Sequence, residues 1–285
     1  MEKVIIVTDS CAYFDSDEIS DLNIHVVPLT IKFGTKKVED GTEGLIENVF
    51  EQQELGVNPP VVEPPTPVAF QRAYTKIYKE TDRILSLHVS SKLSKTYQNA
   101  HYGAEPLLGR CNIEFMDTTS ILLGQGVLVK AAAEAAMEGA DIEEIVRIVR
   151  GMVPHVYTVM YVDRMDYLER SGLIGQAQYI LGSMFGIKPM LFMEDGEIIP
   201  MEKVKTEERA IEKLAEFIAE FEDLAQTVIF QQGLELTSSS EKLVYRLGQI
   251  FPDEVFPIIQ YNPLLASYVG PTALGVGIYE ELGRF

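Results

Sequence analysis

The chain has 285 residues, 46% hydrophobic and 9% aromatic, with 24 basic against 43 acidic residues and a formal net charge of −19. Its length fits one large or two ordinary domains, and its charge argues against a nucleic-acid partner, which would require a basic face. Acidic residues enter early in Met1-Glu2-Lys3-Val4-Ile5-Ile6-Val7-Thr8-Asp9, and no uninterrupted apolar run reaches the ~18 residues of a membrane span, so the expectation is a soluble, cytoplasmic protein with no signal peptide.

In chain order, Val4–Val7 is a β-branched run that predicts a buried strand, ending in the polar Thr8-Asp9-Ser10. Asp15-Ser16-Asp17 opens a short helix through Leu22. His25–Phe33 and Lys36–Glu39 read as extended segments around Gly34-Thr35, and Leu45–Leu55 as a helix. A connector, Val57–Pro67, carries Pro59, Pro60, Pro64 and Pro65. Thr66-Pro67 then starts a helix to about Lys79, with threonine at the N-cap and proline in the first helical position.

From there the pattern alternates. Strand Ile84–Val89 precedes a hydroxyl-rich turn and a helix to about Glu105. Strand Ile113–Met116 ends at Asp117, and helices follow over Leu122–Met137 and Ile142–Val153. Strands alternating with helices imply a mainly parallel sheet covered on both faces. Val156–Val162 is a strand, Asp163 caps a helix toward Arg170-Ser171-Gly172, and a shorter helix spans Gln176–Phe185. Ile187–Met193 and Ile198–Val204 flank Glu194-Asp195-Gly196, a hairpin signal. Thr206–Phe221 is amphipathic, with Ile211, Leu214, Phe217, Ile218 and Phe221 on one stripe. Strands at Val228–Phe230, Val255–Gln260 and Leu274–Tyr279, with a helix at Ser239–Phe251, complete a mixed α/β second half. The expected domains are 1–154 and 155–285, with the final segment a candidate to return to the first.

The most informative segment is Ser90-Ser91-Lys92-Leu93-Ser94-Lys95-Thr96-Tyr97-Gln98, between a strand and a helix. A helix N-terminus leaves backbone N–H groups without intrahelical partners and carries a positive partial charge, so hydroxyls beside it make a pocket for a carboxylate or phosphate. The plainer role for Ser94 is to cap its helix. Ligands of parallel sheets lie beyond the carboxyl ends of the strands. Asp9, Ser10, Ser90, Ser91, Ser94, Asp117, Thr118 and Thr119 all fall at such ends, which argues for one shared site.

Other chemistry finds little support. Cys11 and Cys111 form no Cys-x-x-Cys pair, and His25, His88, His101 and His155 are scattered without ligand spacing. Gly124-Gln125-Gly126 lacks the third glycine and acidic partner of a dinucleotide site. There is no Gly-x-Ser-x-Gly elbow, no persuasive Ser–His–Asp set and no Walker-type loop. Asp9 and Asp117 remain as a pair for Mg²⁺ or, more simply, as caps of the turns that follow them. Donors without catalytic machinery describe a binding protein rather than an enzyme, with no cofactor or resident metal.

Taken together the segments resemble the DegV family of bacterial fatty-acid-binding proteins over essentially the whole chain. Thr8-Asp9-Ser10 resembles its N-terminal signature, and Ser90–Gln98 its Ser-Ser-x-Leu-Ser-Gly-Thr-Tyr-Gln block. Asp117-Thr118-Thr119-Ser120 with Gly124-Gln125-Gly126 resembles its Asp-Ser…Gly-Gln-Gly block. Tyr167-Leu168-Glu169-Arg170-Ser171-Gly172 resembles Tyr-Leu-Arg-Arg-Gly-Gly. Ile187-Lys188-Pro189 is also similar to the family, and Gly270-Pro271-Thr272-Ala273-Leu274-Gly275 resembles Gly-Pro-Gly-Ala-Leu-Gly.

The resemblance implies a two-domain DegV-like α/β fold, mainly parallel in the N-terminal domain and mixed in the C-terminal one. A long-chain fatty acid would lie between the domains, its tail in an apolar tunnel, and be presented to a separate fatty acid kinase. It implies that Ser94 holds the carboxylate and that Arg170 serves the kinase. Ser91, Thr66 and Ser267 join Ser94 as expected ligand-side residues. Three positions depart: Val62 stands where the family has a threonine donor, Tyr268 where it has a histidine, and Lys95 where a glycine follows the binding serine. Two alternatives stay open: a carrier of a different hydrophobic or neutral acyl ligand, and a Mg²⁺-dependent enzyme acting through Asp9 and Asp117 on a small phosphorylated substrate.

Overall fold

A computed structural model describes residues 3–14, 18–42, 45, 49, 51, 61–163, 167–168, 187–221 and 224–280. The chain divides into two units. The first comprises Met1–Glu47, Asn58–Pro154 and Asp195–Glu197, and the second Asn48–Val57, His155–Glu194 and Ile198–Phe285.

In the first unit the elements are β1 (Ile5–Asp9), α1 (Glu18–Asp21), β2 (His25–Val27), β3 (Thr30–Phe33), β4 (Lys36–Glu39), β5 (Val61–Glu63), α2 (Pro67–Ile77), β6 (Arg83–His88), α3 (Thr96–Ala104), β7 (Asn112–Asp117), α4 (Leu123–Met137) and α5 (Ile142–Met152). Four strands form a sheet ordered β2-β1-β6-β7. All its pairings are parallel. Every residue of β1 is buried, as expected of a parallel strand covered on both faces. On one face Ile5 and Val7 pack with Phe70, Tyr74 and Ile77 of α2 and Ala100 and Ala104 of α3. On the other, Gln125 of α4 donates through Nε2 to Thr8 Oγ1 at 3.1 Å. Each large apolar side chain so buried contributes about 1.5–3 kcal/mol.

Local chemistry sets the helix starts. Thr66 accepts from Ala69 N–H at 3.2 Å with Pro67 behind it. Asp141 accepts from Glu144 N–H at 2.8 Å at the head of α5. Gly126 is needed for space: a Cβ there would come within 2.0 Å of the Tyr13 carbonyl oxygen.

The second unit contains β8 (Val156–Tyr161), β9 (Lys188–Glu194), β10 (Glu197–Val204), α6 (Glu207–Ile218), β11 (Leu224–Gln231), α7 (Ser238–Ile250), β12 (Ile258–Gln260), α8 (Pro263–Val269) and β13 (Leu274–Glu280). Its six-stranded sheet runs β10-β9-β8-β13-β11-β12. The β8–β9, β8–β13 and β11–β13 pairings are antiparallel and β11–β12 is parallel. The α6 stripe of Ile211, Leu214 and Ile218 is buried against Val159, Ile229, Val276 and Leu243. Between β9 and β10, Asp195 (φ 49°) and Gly196 (φ 83°) both take the left-handed conformation, as a two-residue type I′ hairpin demands.

Three expectations are revised. The extended run His25–Phe33 is two strands, because Pro28 interrupts it: β2 joins the parallel sheet, while β3 joins a small antiparallel sheet ordered β4-β3-β5. The proline-rich connector holds a strand, β5, only three residues long, too short to show in the pattern. The strand expected over Val255–Gln260 is confined to Ile258–Gln260, since Pro257 lacks an N–H for the ladder. Helix α8 has no counterpart in the sequence reading, although Asn262 caps it by accepting from Leu265 N–H at 2.9 Å, with Pro263 at its first turn. The helices expected at Leu45–Leu55 and Gln176–Phe185 lie wholly or largely outside the described residues.

Candidate functional site

The hydroxyl-rich segment leaves the carboxyl end of β6 in the first unit. Ser90 is fully buried. Its carbonyl accepts from Leu93 N–H at 3.0 Å and Ser94 N–H at 3.1 Å, and its own N–H reaches Ser120 O at 3.0 Å. Ser91 N–H is held by both carboxylate oxygens of Asp117 at 3.2 Å. Ser94 is partly buried and precedes the N-cap, which is Lys95. Its Oγ lies 2.8 Å from Thr96 Oγ1 and accepts from Thr96 N–H at 3.3 Å.

Lys95 provides no side-chain cap, and its side chain is exposed. Among the described residues the N–H groups of Lys95, Tyr97 and Gln98 find no acceptor. The start of α3 therefore carries unspent donors beside the Ser94 hydroxyl, the arrangement that accepts an anion.

The neighbouring elements lock this turn in place. Asn99 of α3 donates to Pro65 O at 2.8 Å, tying the helix to the segment between β5 and α2. Gly103 lets α3 approach α2 so closely that a Cβ would meet Phe70 Cβ at 2.5 Å. Thr66 on this segment is spent as the cap of α2, and Val62 pairs with Ile31 in the small sheet. Ser91, Ser94, Lys95, Val62 and Thr66 all belong to the first unit. Ser267 and Tyr268 belong to α8 of the second, where Ser267 Oγ donates back to Leu264 O at 2.7 Å. Arg170 lies outside the described residues.

Beneath the turn runs a buried polar chain that sequence reasoning missed. Tyr74 OH lies 2.8 Å from Ser86 Oγ, which lies 2.7 Å from His88 Nε2. His88 Nδ1 lies 2.9 Å from Asp9 Oδ2. Asp9 also accepts from Val89 N–H and Cys11 N–H, each at 3.0 Å. Burial alone would push the Asp9 carboxyl up, but the His88 ring and the two N–H groups outweigh it and hold the group below its usual range.

The signal was Ser86-x-His88, two residues apart on one face of a strand, with Asp9 brought alongside by the register that sets Val7 against Ser86. That register cannot be read from one strand's sequence. Ser86 and His88 are fully buried and Ser86 is already bonded to Tyr74, so this is a structural chain and not an exposed nucleophile. Asp117 is likewise a turn cap, accepting from Thr119 N–H at 2.9 Å as well as from Ser91. Both carboxylates are engaged by backbone donors, as their plainer role as turn caps requires.

Beside Asp9, Asp40 accepts from Ser10 Oγ at 2.7 Å and from Gly41 N–H at 2.9 Å. Burial nevertheless raises its carboxyl to about 6, with the Asp9 charge adding to the rise.

Among the described residues no helix is long and apolar enough to cross a membrane. A family profile described as "Uncharacterised protein, DegV family" matches residues 3–281. A DegV domain-containing protein of Caldanaerobacter subterraneus is 35% identical over 293 residues, covering 99% of this chain and 100% of its own. A Thermus thermophilus structure described as fatty acid binding of a DegV family protein superposes with a TM-score of 0.84 at 27% identity, covering 98% of this chain and 100% of that one. The fatty acid binding DegV family protein of Streptococcus agalactiae shares the fold at a TM-score of 0.89 and 22% identity, covering 99% and 100%.

Proposed function

This chain belongs to the DegV family, and from that premise we propose that it binds a long-chain fatty acid and presents the carboxylate to a separate fatty acid kinase. The observation that carries the reading is the whole-length likeness to the Thermus thermophilus protein, whose own description is fatty acid binding. The start of α3 supports it with a partly buried hydroxyl and three unspent backbone donors. Burying an acyl tail of about 15 methylenes gives on the order of 12 kcal/mol gross, of which association costs remove much. One carboxylate hydrogen bond adds only about 1–3 kcal/mol. The tail therefore dominates affinity and the head group sets selectivity.

Under this reading Ser94 is the carboxylate contact, with Ser91, Lys95, Thr66, Ser267 and Tyr268 on the ligand side. Val62 removes a donor that the family supplies at that position, and Tyr268 replaces a group able to carry positive charge. An ionised carboxylate entering a partly dry pocket needs such donors. Discrimination between an acid and its neutral ester is accordingly weak, which keeps a neutral acyl ligand as the second reading. Arg170 acts toward the kinase: Arg170→Ala should leave oleate affinity near normal and slow kinase-dependent phosphorylation, and equal phosphorylation rates would remove that role.

Mass spectrometry of protein purified from bacterial cells and denatured tests the whole reading. A stoichiometric long-chain fatty acid is the expected result. Protein free of lipid and without affinity for oleate, palmitate or methyl oleate would overturn it, and a bound lipid without a carboxyl group would favour the second reading.

A further inference from the structure

The turn Asp195–Glu197 joins β9 to β10 yet groups with the first unit. There Ser90 Oγ donates to Gly196 O at 2.7 Å, a bond buried at both ends. The same oxygen accepts from Lys92 N–H at 3.3 Å. One hydroxyl thus ties the hairpin turn to the segment whose donors form the candidate site. Lys92 Nζ adds an exposed ion pair with Glu197 at 2.8 Å.

The fit admits only glycine. A Cβ on Gly196 would stand 2.5 Å from Ser90 Oγ and 3.4 Å from Thr119 Cα and Cβ, and its φ of 83° strains any other residue. With its Oγ oriented, Ser90 presents one carbonyl to Leu93 N–H and Ser94 N–H, and that carbonyl fixes where Ser94 and the first turn of α3 point. A hydroxyl rich in possible partners would otherwise rotate freely toward solvent or ligand. Here it is withdrawn from the ligand and used as a strut.

We propose that Gly196 is a positioning residue for the anion site: its carbonyl fixes the Ser90 hydroxyl, and through it the Ser90–Thr96 turn that meets the carboxylate. This rests on the fatty-acid reading above, and the experiment separates the two. Hydrogen exchange of the backbone amides in Ser90→Ala should speed at Lys92, Leu93, Ser94 and Thr96 by about tenfold or more, since local opening no longer breaks the strut. Amides of β11 and β13 should be unchanged. Oleate affinity, measured by titration, should weaken about 3- to 10-fold, because a site that loses its supporting contacts loses geometry before it loses groups.

Gly196→Ala should reproduce the same pattern by displacing Ser90 instead of removing its oxygen. Lys92→Met, which deletes only the exposed ion pair, should change affinity less than about twofold. If Ser90→Ala weakens oleate binding while exchange at residues 92–96 stays as in the parent, Ser90 touches the ligand directly and the proposal is overturned. It is equally overturned if neither quantity moves. If the parent protein binds no fatty acid, the functional reading fails, while the exchange result still decides whether Gly196 holds the turn.

Discussion

The two sheets bury different things. Of the thirteen buried polar residues among the described ones, nine lie in the first unit: Thr8, Asp9, Ser86, His88, Ser90, Thr96, Thr118, Ser120 and Gln125. All sit in or beside the parallel sheet, most toward its carboxyl edge. The second unit buries Thr158, Gln231, Ser240 and Asn262, two of which belong to helix caps. Its sheet is held by Val159, Leu214, Ile229, Val276 and their neighbours. A parallel sheet ends all its strands on one edge, so the polar groups that follow them converge. A mixed sheet sends strand ends both ways and disperses them. Both units have an apolar core, and the first adds to its own a set of buried, satisfied hydrogen bonds.

Single substitutions can break that contrast. The largest effect is expected for Asp9→Ala. It strands the Val89 and Cys11 N–H groups and the His88 ring in a dry interior, and should cost about 3–5 kcal/mol in urea unfolding at pH 7. A cost under 1 kcal/mol would mean that water replaces the carboxylate and that the polar chain is dispensable. Leu214→Ala is the matching test in the second unit. It opens a cavity in an apolar cluster and should cost about 3 kcal/mol, whereas Thr158→Val on the opposite face of β8 should cost less than about 1 kcal/mol.

Ser94→Ala sharpens the comparison by separating function from stability. Ser94 bonds only within its own turn, so its loss should move the unfolding midpoint little. It should weaken oleate binding by about 1–3 kcal/mol. A lowered melting temperature with unchanged affinity would instead make it a structural serine.

The smallest effect concerns Asp40. Its folded pKa of about 6 stands above the ordinary 3.8. Between these values the folded state keeps a proton that the unfolded state has released, so this group's contribution to stability is full below about pH 4 and is lost as pH rises through 6. The loss should be about 1–2 kcal/mol after allowing for partial solvent access. Asp40→Asn should flatten that segment of the stability–pH curve, and an unchanged slope would assign the titration to another group.

Much of the first unit was legible because β1, β6 and β7 are largely apolar strands of ordinary length and α2 and α5 carry their own caps. Thr66-Pro67 fixed the start of α2 without help from tertiary structure, and Asp195-Gly196 marked its hairpin for the same reason. What escaped had no local signature. Strand β5 exists only because β3 offers it an edge. The Tyr74–Ser86–His88–Asp9 chain depends on parallel register between strands nearly eighty residues apart. The Ser94 segment was visible as a strand–turn–helix junction. That Lys95 and not Ser94 would take the N-cap depended on where Ser90 folds the turn, which the hairpin at Gly196 helps decide.

The order β2-β1-β6-β7 also has a consequence in time. Strand β1 is made first but occupies an inner position, pairing Ile5 with Ile84 on one side and Val7 with His25 on the other. At a synthesis rate of about 5–20 residues per second, roughly 4–16 seconds pass before its β6 neighbour exists. During that interval an apolar β-branched segment waits with an open edge, the condition under which strands join the wrong chain. Only β2 is available early, and it is three residues long. Newly made protein should thus be most prone to aggregate before β6 emerges, and nascent chains halted before residue 83 should need a chaperone that chains halted after residue 117 do not.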